Sequence, residues 1–96
     1  MSLYFPKLEG FEWDNGNLGH IKKHKVSSRE CEEVFLDKRV IILSDSKHSI
    51  YEERFKVLGK TLIGRKIALV FTLRENNIRV VMARDQNKKE RGDIND

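Results

Sequence analysis

One cysteine, one proline and one tryptophan occur in 96 residues, and no apolar run approaches the roughly 20 residues that a membrane-spanning helix requires. Cys31 has no partner for an intrachain disulfide, so the fold is not expected to depend on oxidation, and the expected location is the reducing cytoplasm. The apolar h-region of a secretory signal is missing as well. So are internal repeats and low-complexity segments, which removes solenoids, arrays and flexible linkers from consideration. With 39% hydrophobic residues the chain can build one core and no second one, so a single domain over residues 1–96 is expected, with no membrane partner.

Charge is what the chain has in quantity. Residues 65–91 hold eight Lys or Arg against three acids, a surplus of +5, whereas residues 1–64 hold eleven against ten. Asp93 and Asp96 then bring +5 and +1 back to the overall +4. A basic surplus confined to one stretch suits a polyanionic partner, nucleic acid first, because Lys and Arg displace phosphate counterions. It also suits a solvated charged face, and charge alone does not choose between them.

The hydrophobic pattern changes period along the chain. Phe11–Asp14 alternates apolar and acidic residues as a short strand would. Asp14 or Asn15 can then cap a helix whose apolar stripe is Leu18 and Ile21. Ser27-Ser28-Arg29-Glu30 reads as a capping box for a second helix, with Val26 and Cys31 as its hydrophobic staple and Cys31, Val34 and Phe35 on the core stripe. That spacing makes Cys31 a small core residue rather than a nucleophile. Four strand-like runs follow: Val40–Ser44, Ile50–Gly59, Lys66–Leu73 and Asn77–Arg84. The last three are expected to form an antiparallel meander around short turns. The tail can begin a helix at Asp85, which Gly92 would stop. The result is an α+β domain with two N-terminal helices packed on one face of a mainly antiparallel sheet, plus a short C-terminal helix.

His20 and His24, at i and i+4 on one helix, could share a zinc ion. Little else supports a metal: the glutamate of an HExxH arrangement is missing, Cys31 belongs to the core stripe, and His48 is the sole further histidine. Phosphate chemistry is the stronger use. RNA carries its own nucleophile in the 2′-hydroxyl, so a metal-free ribonuclease needs a base, an acid for the departing 5′-oxygen, and cations around the phosphorus. The types are present: His24 or Glu53 for proton transfer, and Lys23, Arg54, Arg74, Arg79 and Arg84 for charge.

Strand parity sorts these residues. Arg54 shares a face with Glu52 and Lys56, which suits an RNA groove. Glu53 falls with Tyr51, Phe55 and Val57, where a structural ion pair is the simpler use. Arg84 falls on the parity of Ile78, Val80 and Met82, either as a core-edge arginine or as a functional cation placed by a rigid strand end. Arg79 shares a face with Val81 and Ala83 and could pair with an acid. Trp13 reads as a core anchor rather than a stacking platform.

Four stretches, in order and with fitting spacing, give the chain a resemblance to the BrnT family of bacterial toxins, whose members resemble RelE-type ribonuclease toxins in fold. They are FEWDNGNLGHIKKHKVSSRECEEVF (11–35), EERFKVLGKT (52–61), GRKIALVFTLR (64–74) and IRVVMARDQNKKER (78–91). The resemblance implies an RNA-cleaving, translation-inhibiting toxin neutralised by a ribbon-helix-helix antitoxin. Their complex would repress its own operon, touching operator DNA only through the antitoxin, and could hold a toxin dimer in a hetero-tetramer. The family's Lys-His pair falls on Lys23-His24, its Glu-Arg pair on Glu53-Arg54, its strand-end arginine on Arg74 and its Ala-Arg on Arg84.

The resulting expectation is a metal-independent endoribonuclease without a cofactor. His24, Arg54, Arg74 and Arg84 would be catalytic, and Lys23, His20, Lys56, Arg79, Lys88 and Lys89 would bind RNA. The rival expectation is a non-catalytic module that binds the antitoxin and serves operon repression. Two departures from the family pattern stand out. Lys25 replaces the usual glycine after the Lys-His pair, at a helix end where φ > 0 is common. The tyrosine that often follows the last Lys-Glu-Arg is missing from GDIND.

Overall fold

The computed structural model describes residues 10–45 and 52–92. In chain order it contains β1 (Gly10–Phe11), α1 (Asn15–Lys22), α2 (Ser28–Val34), β2 (Ile41–Ser44), β3 (Arg54–Lys60), β4 (Lys66–Arg74), β5 (Asn77–Asp85) and α3 (Lys88–Arg91). The five strands form one sheet in the order β1-β5-β4-β3-β2, with β1 parallel to β5 and every other pair antiparallel. The α+β expectation holds, and β3, β4 and β5 are the expected meander. The helices do not open the described chain, however: β1 precedes α1 and α2. That strand covers only Gly10–Phe11, because Asp14 leaves the sheet to cap α1.

Local signals account for the helix ends. Asp14 caps α1 in a box with Asn17, and Ser27 caps α2 in the expected box with Glu30. Within α1 the apolar stripe is narrower than its sequence implied, since Leu18 is exposed and Ile21 is buried. The other buried residue of the helix is Asn17. Its Oδ1 accepts from the Asp14 N–H (2.8 Å) and its Nδ2 donates to the Glu12 carbonyl (2.9 Å), so both polar atoms tie the segment after β1 to α1.

One sheet face is dry. Val57, Ile67, Leu69, Phe71, Ile78, Val80 and Ala83 pack there against Ile21, Val26, Cys31, Val34 and Phe35 from the helical side. Phe35 meets Phe11 and Phe71 edge-on, with ring centroids 5.4 and 5.5 Å apart. Trp13 packs at the margin of this cluster and donates its indole N–H to Glu32 (2.9 Å). Burial pushes the Cys31 thiol up to about 12, which leaves it inert as a nucleophile.

Two further corrections concern the end of the chain. The last helix starts at Lys88 with Asn87 as its cap, because Asp85 is still paired in β5. A bulge also interrupts the β4–β5 ladder: Val70 pairs with Met82 but Phe71 pairs with Val80, leaving Val81 as an extra residue. Strict alternation therefore fails. Ala83 turns into the core, while Arg84 joins Arg79 on the opposite face, not the face of Ile78 and Val80 as its parity implied.

Lys25 closes α1 with φ +58. A side chain in that left-handed region is disfavoured by roughly 1 kcal/mol relative to glycine. Lys25→Gly is expected to raise the unfolding free energy by roughly 0.5–1 kcal/mol, read as a higher denaturation midpoint at unchanged slope. An unchanged midpoint would mean that the turn carries no strain.

Candidate active site

The second sheet face carries a cavity of about 680 Å³. Its floor is apolar, from Val70, Val81 and Met82, and Val81 reaches it through the bulge. Arg54 and Lys56 of β3, Arg74 of β4, and Arg79 and Arg84 of β5 surround that floor, while α1 contributes Gly16, Asn17 and His20. Alternation along β3 explains the first pair: Phe55 and Val57 face the core, so Arg54 and Lys56 face the cavity.

Of the residues singled out in the sequence, six come together here: His20, Arg54, Lys56, Arg74, Arg79 and Arg84. Others lie elsewhere. His24 sits in the exposed turn after α1, where its carbonyl accepts from Arg65 (3.3 Å), and Lys23 precedes it as the C-cap of α1. Glu53 is exposed just ahead of β3, and its carbonyl accepts from Thr72 Oγ1 (2.8 Å). Lys88 and Lys89 are exposed on α3. His48 and Tyr51 fall outside the described residues. Among the described residues, no three of His, Cys, Asp and Glu group in a way that could hold a metal ion.

The cations are held by carboxylates. Asp45 and Glu52 line the cavity, and Glu12, Asp14 and Glu90 approach its cations from the margin, so among the described residues five carboxylates face five cations. Arg79 is the most fixed: only 14% exposed, it donates to Glu12 (3.0 Å) and to both oxygens of Asp14 (2.8 and 3.2 Å). Its hydrogen bond holds the Asp14 carboxyl below its ordinary range, and the pair clasps the start of α1 to the sheet. Arg74 contrasts with it. Half exposed, it has Glu12 at 3.6 Å and Glu52 at 4.0 Å, distances too long for strong hydrogen bonds and easily exchanged for a ligand oxygen. Arg84 and Lys56 share Glu90, at 2.7 and 2.6 Å.

Sequence reasoning passed over Arg65, which is outside the cavity but central to its frame. It donates to Glu30, to Asp85 and to the carbonyls of His24 and Lys25, joining the α1–α2 turn to the ends of α2 and β5. Its signal was faint: one basic residue after Gly64 among many. Glu90 was passed over as well, although its place three residues after Asn87 is a capping-box spacing.

Such a site can bind a nucleotide segment, with apolar floor under a base and guanidinium groups around phosphates. A comparison with curated proteins finds no match. A family model described as the ribonuclease toxin BrnT of type II toxin-antitoxin systems matches residues 13–90, a span that includes α1, the whole β2–β5 sheet and Glu90. The chain therefore belongs to the BrnT family of ribonuclease toxins.

Proposed function

We propose that this protein is a cytoplasmic, metal-independent endoribonuclease toxin of RelE-like architecture that inhibits translation by cleaving RNA on the cavity face. The observation that carries this reading is the set of cations around an apolar floor on a rigid sheet. Arg74 and Arg54 take the scissile phosphate, and Arg84 with Lys56 stabilises the charge that builds on the phosphorane. The 2′-hydroxyl attacks phosphorus, its proton leaves to a base, and the 5′-oxygen is protonated as the P–O bond breaks. An imidazole serves proton transfer, and among the described residues the one lining this cavity is His20, four residues before the His24 favoured by its sequence context.

The test is cleavage of end-labelled RNA in EDTA by wild type, His20→Ala and His24→Ala, each checked for folding. The expected loss is on the order of 100-fold for His20→Ala and small for His24→Ala. The reverse ranking would move proton transfer to the α1–α2 turn. An inert wild type rescued only by Zn²⁺ would end the metal-independent reading.

The same face serves a ribbon-helix-helix antitoxin, whose acidic neutralising segment would exchange with the carboxylates already there. Full cleavage by an antitoxin-saturated complex would remove that overlap. One observation favours the rival, a non-catalytic antitoxin-binding module acting in operon repression: among the described residues, carboxylates offset the cavity's cations and lower the attraction for RNA. Folded protein that binds antitoxin but leaves RNA intact, with or without ribosomes, would decide for it.

A further inference from the structure

Glu90 is the most shielded carboxylate of the cavity's ion pairs, its side chain only 6% exposed. Its Oε1 and Oε2 accept from the two terminal nitrogens of Arg84, at 2.7 and 3.0 Å. Lys56 Nζ approaches Oε2 at 2.6 Å. The two cations remain about one-third exposed, at 31% and 36%, and both line the cavity, whereas Glu90 does not. It lines the smaller hollow beyond them, with Gly59, Lys66, Gln86 and Arg91. The carboxylate thus lies behind the cations and leaves their cavity side open.

Glu90 is itself fixed twice over. As the third residue of α3 it accepts from the Asn87 N–H (3.0 Å), while its own N–H donates to Asn87 Oδ1 (2.8 Å). Arg91 Nη1 donates to the Gln86 carbonyl (2.7 Å), and Gln86 is buried with its Nε2 on the Ile67 carbonyl (3.0 Å). The short helix is therefore anchored to the sheet end, and the carboxylate it carries has one position.

We propose that Glu90 is a positioning residue: it holds Arg84 of β5 and Lys56 of β3 as one rigid pair aimed at the reacting phosphate. The proposal rests on the ribonuclease reading for its consequence in cleavage, though not for its geometry. Arg84 and Lys56 sit on strands separated by β4 and have flexible stems. Without an anion between them they would repel each other and sample many rotamers. Fixing both beforehand removes that cost from the transition state, where a misplacement of about 1 Å can cost 100-fold.

Charge and position make opposite forecasts for Glu90→Gln, which keeps an oxygen for the cap and adds one unit of net positive charge. If Glu90 merely offset the cations, the variant would bind and cleave RNA better. As a positioning residue it lowers kcat by 10- to 100-fold while KM stays level or falls, and the substitution has no further effect in an Arg84→Ala/Lys56→Ala background. A second readout is independent of catalysis: ¹⁵N relaxation of the Arg84 Nε–H is expected to report a rigid side chain in wild type and a mobile one in Glu90→Gln. Faster cleavage, unchanged kcat, an additive loss in the double background or equal Arg84 mobility would each overturn the proposal. If wild type cleaves no RNA, the ribonuclease reading fails and the relaxation comparison still decides the role of Glu90.

Discussion

Gly59→Ala is expected to lower the unfolding free energy by about 3 kcal/mol, at the upper end of what overpacking a core usually costs. A Cβ on Gly59 would lie 2.8 Å from Val34 Cγ1, 3.1 Å from the Val34 carbonyl oxygen and 3.3 Å from Val40 Cγ2. The valine methyl could rotate away, but the carbonyl belongs to the last turn of α2, so the helix must lift from β3. That lift would open the contacts of Val34 and Phe35, both fully enclosed, and interior packing does not deform continuously. Urea denaturation measures the loss. Adding Val34→Ala should recover part of it, since the methyl clash goes and the carbonyl clash stays. Wild-type stability in Gly59→Ala would show that α2 rides higher on the sheet than 2.8 Å allows.

Arg65→Ala should also cost about 3 kcal/mol, for a different reason. Charged hydrogen bonds are the strong ones, roughly 1.5–3 kcal/mol each, and this side chain also satisfies two backbone carbonyls of a strained turn. Its removal leaves the half-buried Glu30 without a cation, while Asp85, more exposed, loses less. The loss has a pH signature. Arg65 holds the Asp85 carboxyl below its ordinary value of 3.8. For Glu30, burial pulls upward from 4.5, but the Ser27 N–H and Arg65 prevail and the folded value is lowered. A depressed folded pKa gives stability that is complete above the unfolded pKa and drains as pH falls through the folded one. The gap between wild type and Arg65→Ala should therefore be widest near pH 7 and narrow below about pH 4 to the part owed to the two backbone carbonyls. A gap that widened in acid would contradict the assignment.

Legibility in the sequence followed the range of the physics. Caps are decided by four adjacent residues, so the Ser27–Glu30 box could be read directly and the cap of α1 narrowed to Asp14 or Asn15. Alternation is equally local, and it placed Arg54 and Lys56 on one face of β3. It failed on β5, where the extra residue Val81 exists only relative to the partner strand. No periodicity within β5 could announce it, and so Arg84 was assigned the wrong face. Which of His20 and His24 lines the cavity turned on how α1 sits beside β5 and where the helix ends. The burial of Asn17 arises from the fold of the segment after β1 onto α1, which no local pattern announces. The parts of the cavity frame that escaped notice, Arg65 and Glu90, reach partners far along the chain: Arg65 across 20 to 41 positions, and Glu90, beyond its local cap at Asn87, across 6 to 34. Residue types already pointed to phosphate chemistry, and the family resemblance added the toxin-antitoxin context that pattern could not.

The pairing of the first described strand with the last has a consequence for the timing of synthesis. Gly10 and Phe11 find their partners in Asn77 and Ile78, and the cavity needs Arg84 and Glu90 from still later in the chain. A chain emerging from the ribosome can form α1, α2 and the β2–β3 pair early, from local contacts, but has neither a closed sheet nor an assembled cation pair. The cation-lined cavity thus comes into being as one of the last events of this domain's folding, after β5 and α3 have been made. For a molecule of a toxin family, that delay gives an antitoxin already present in the cell the opportunity to meet the new chain before it can act.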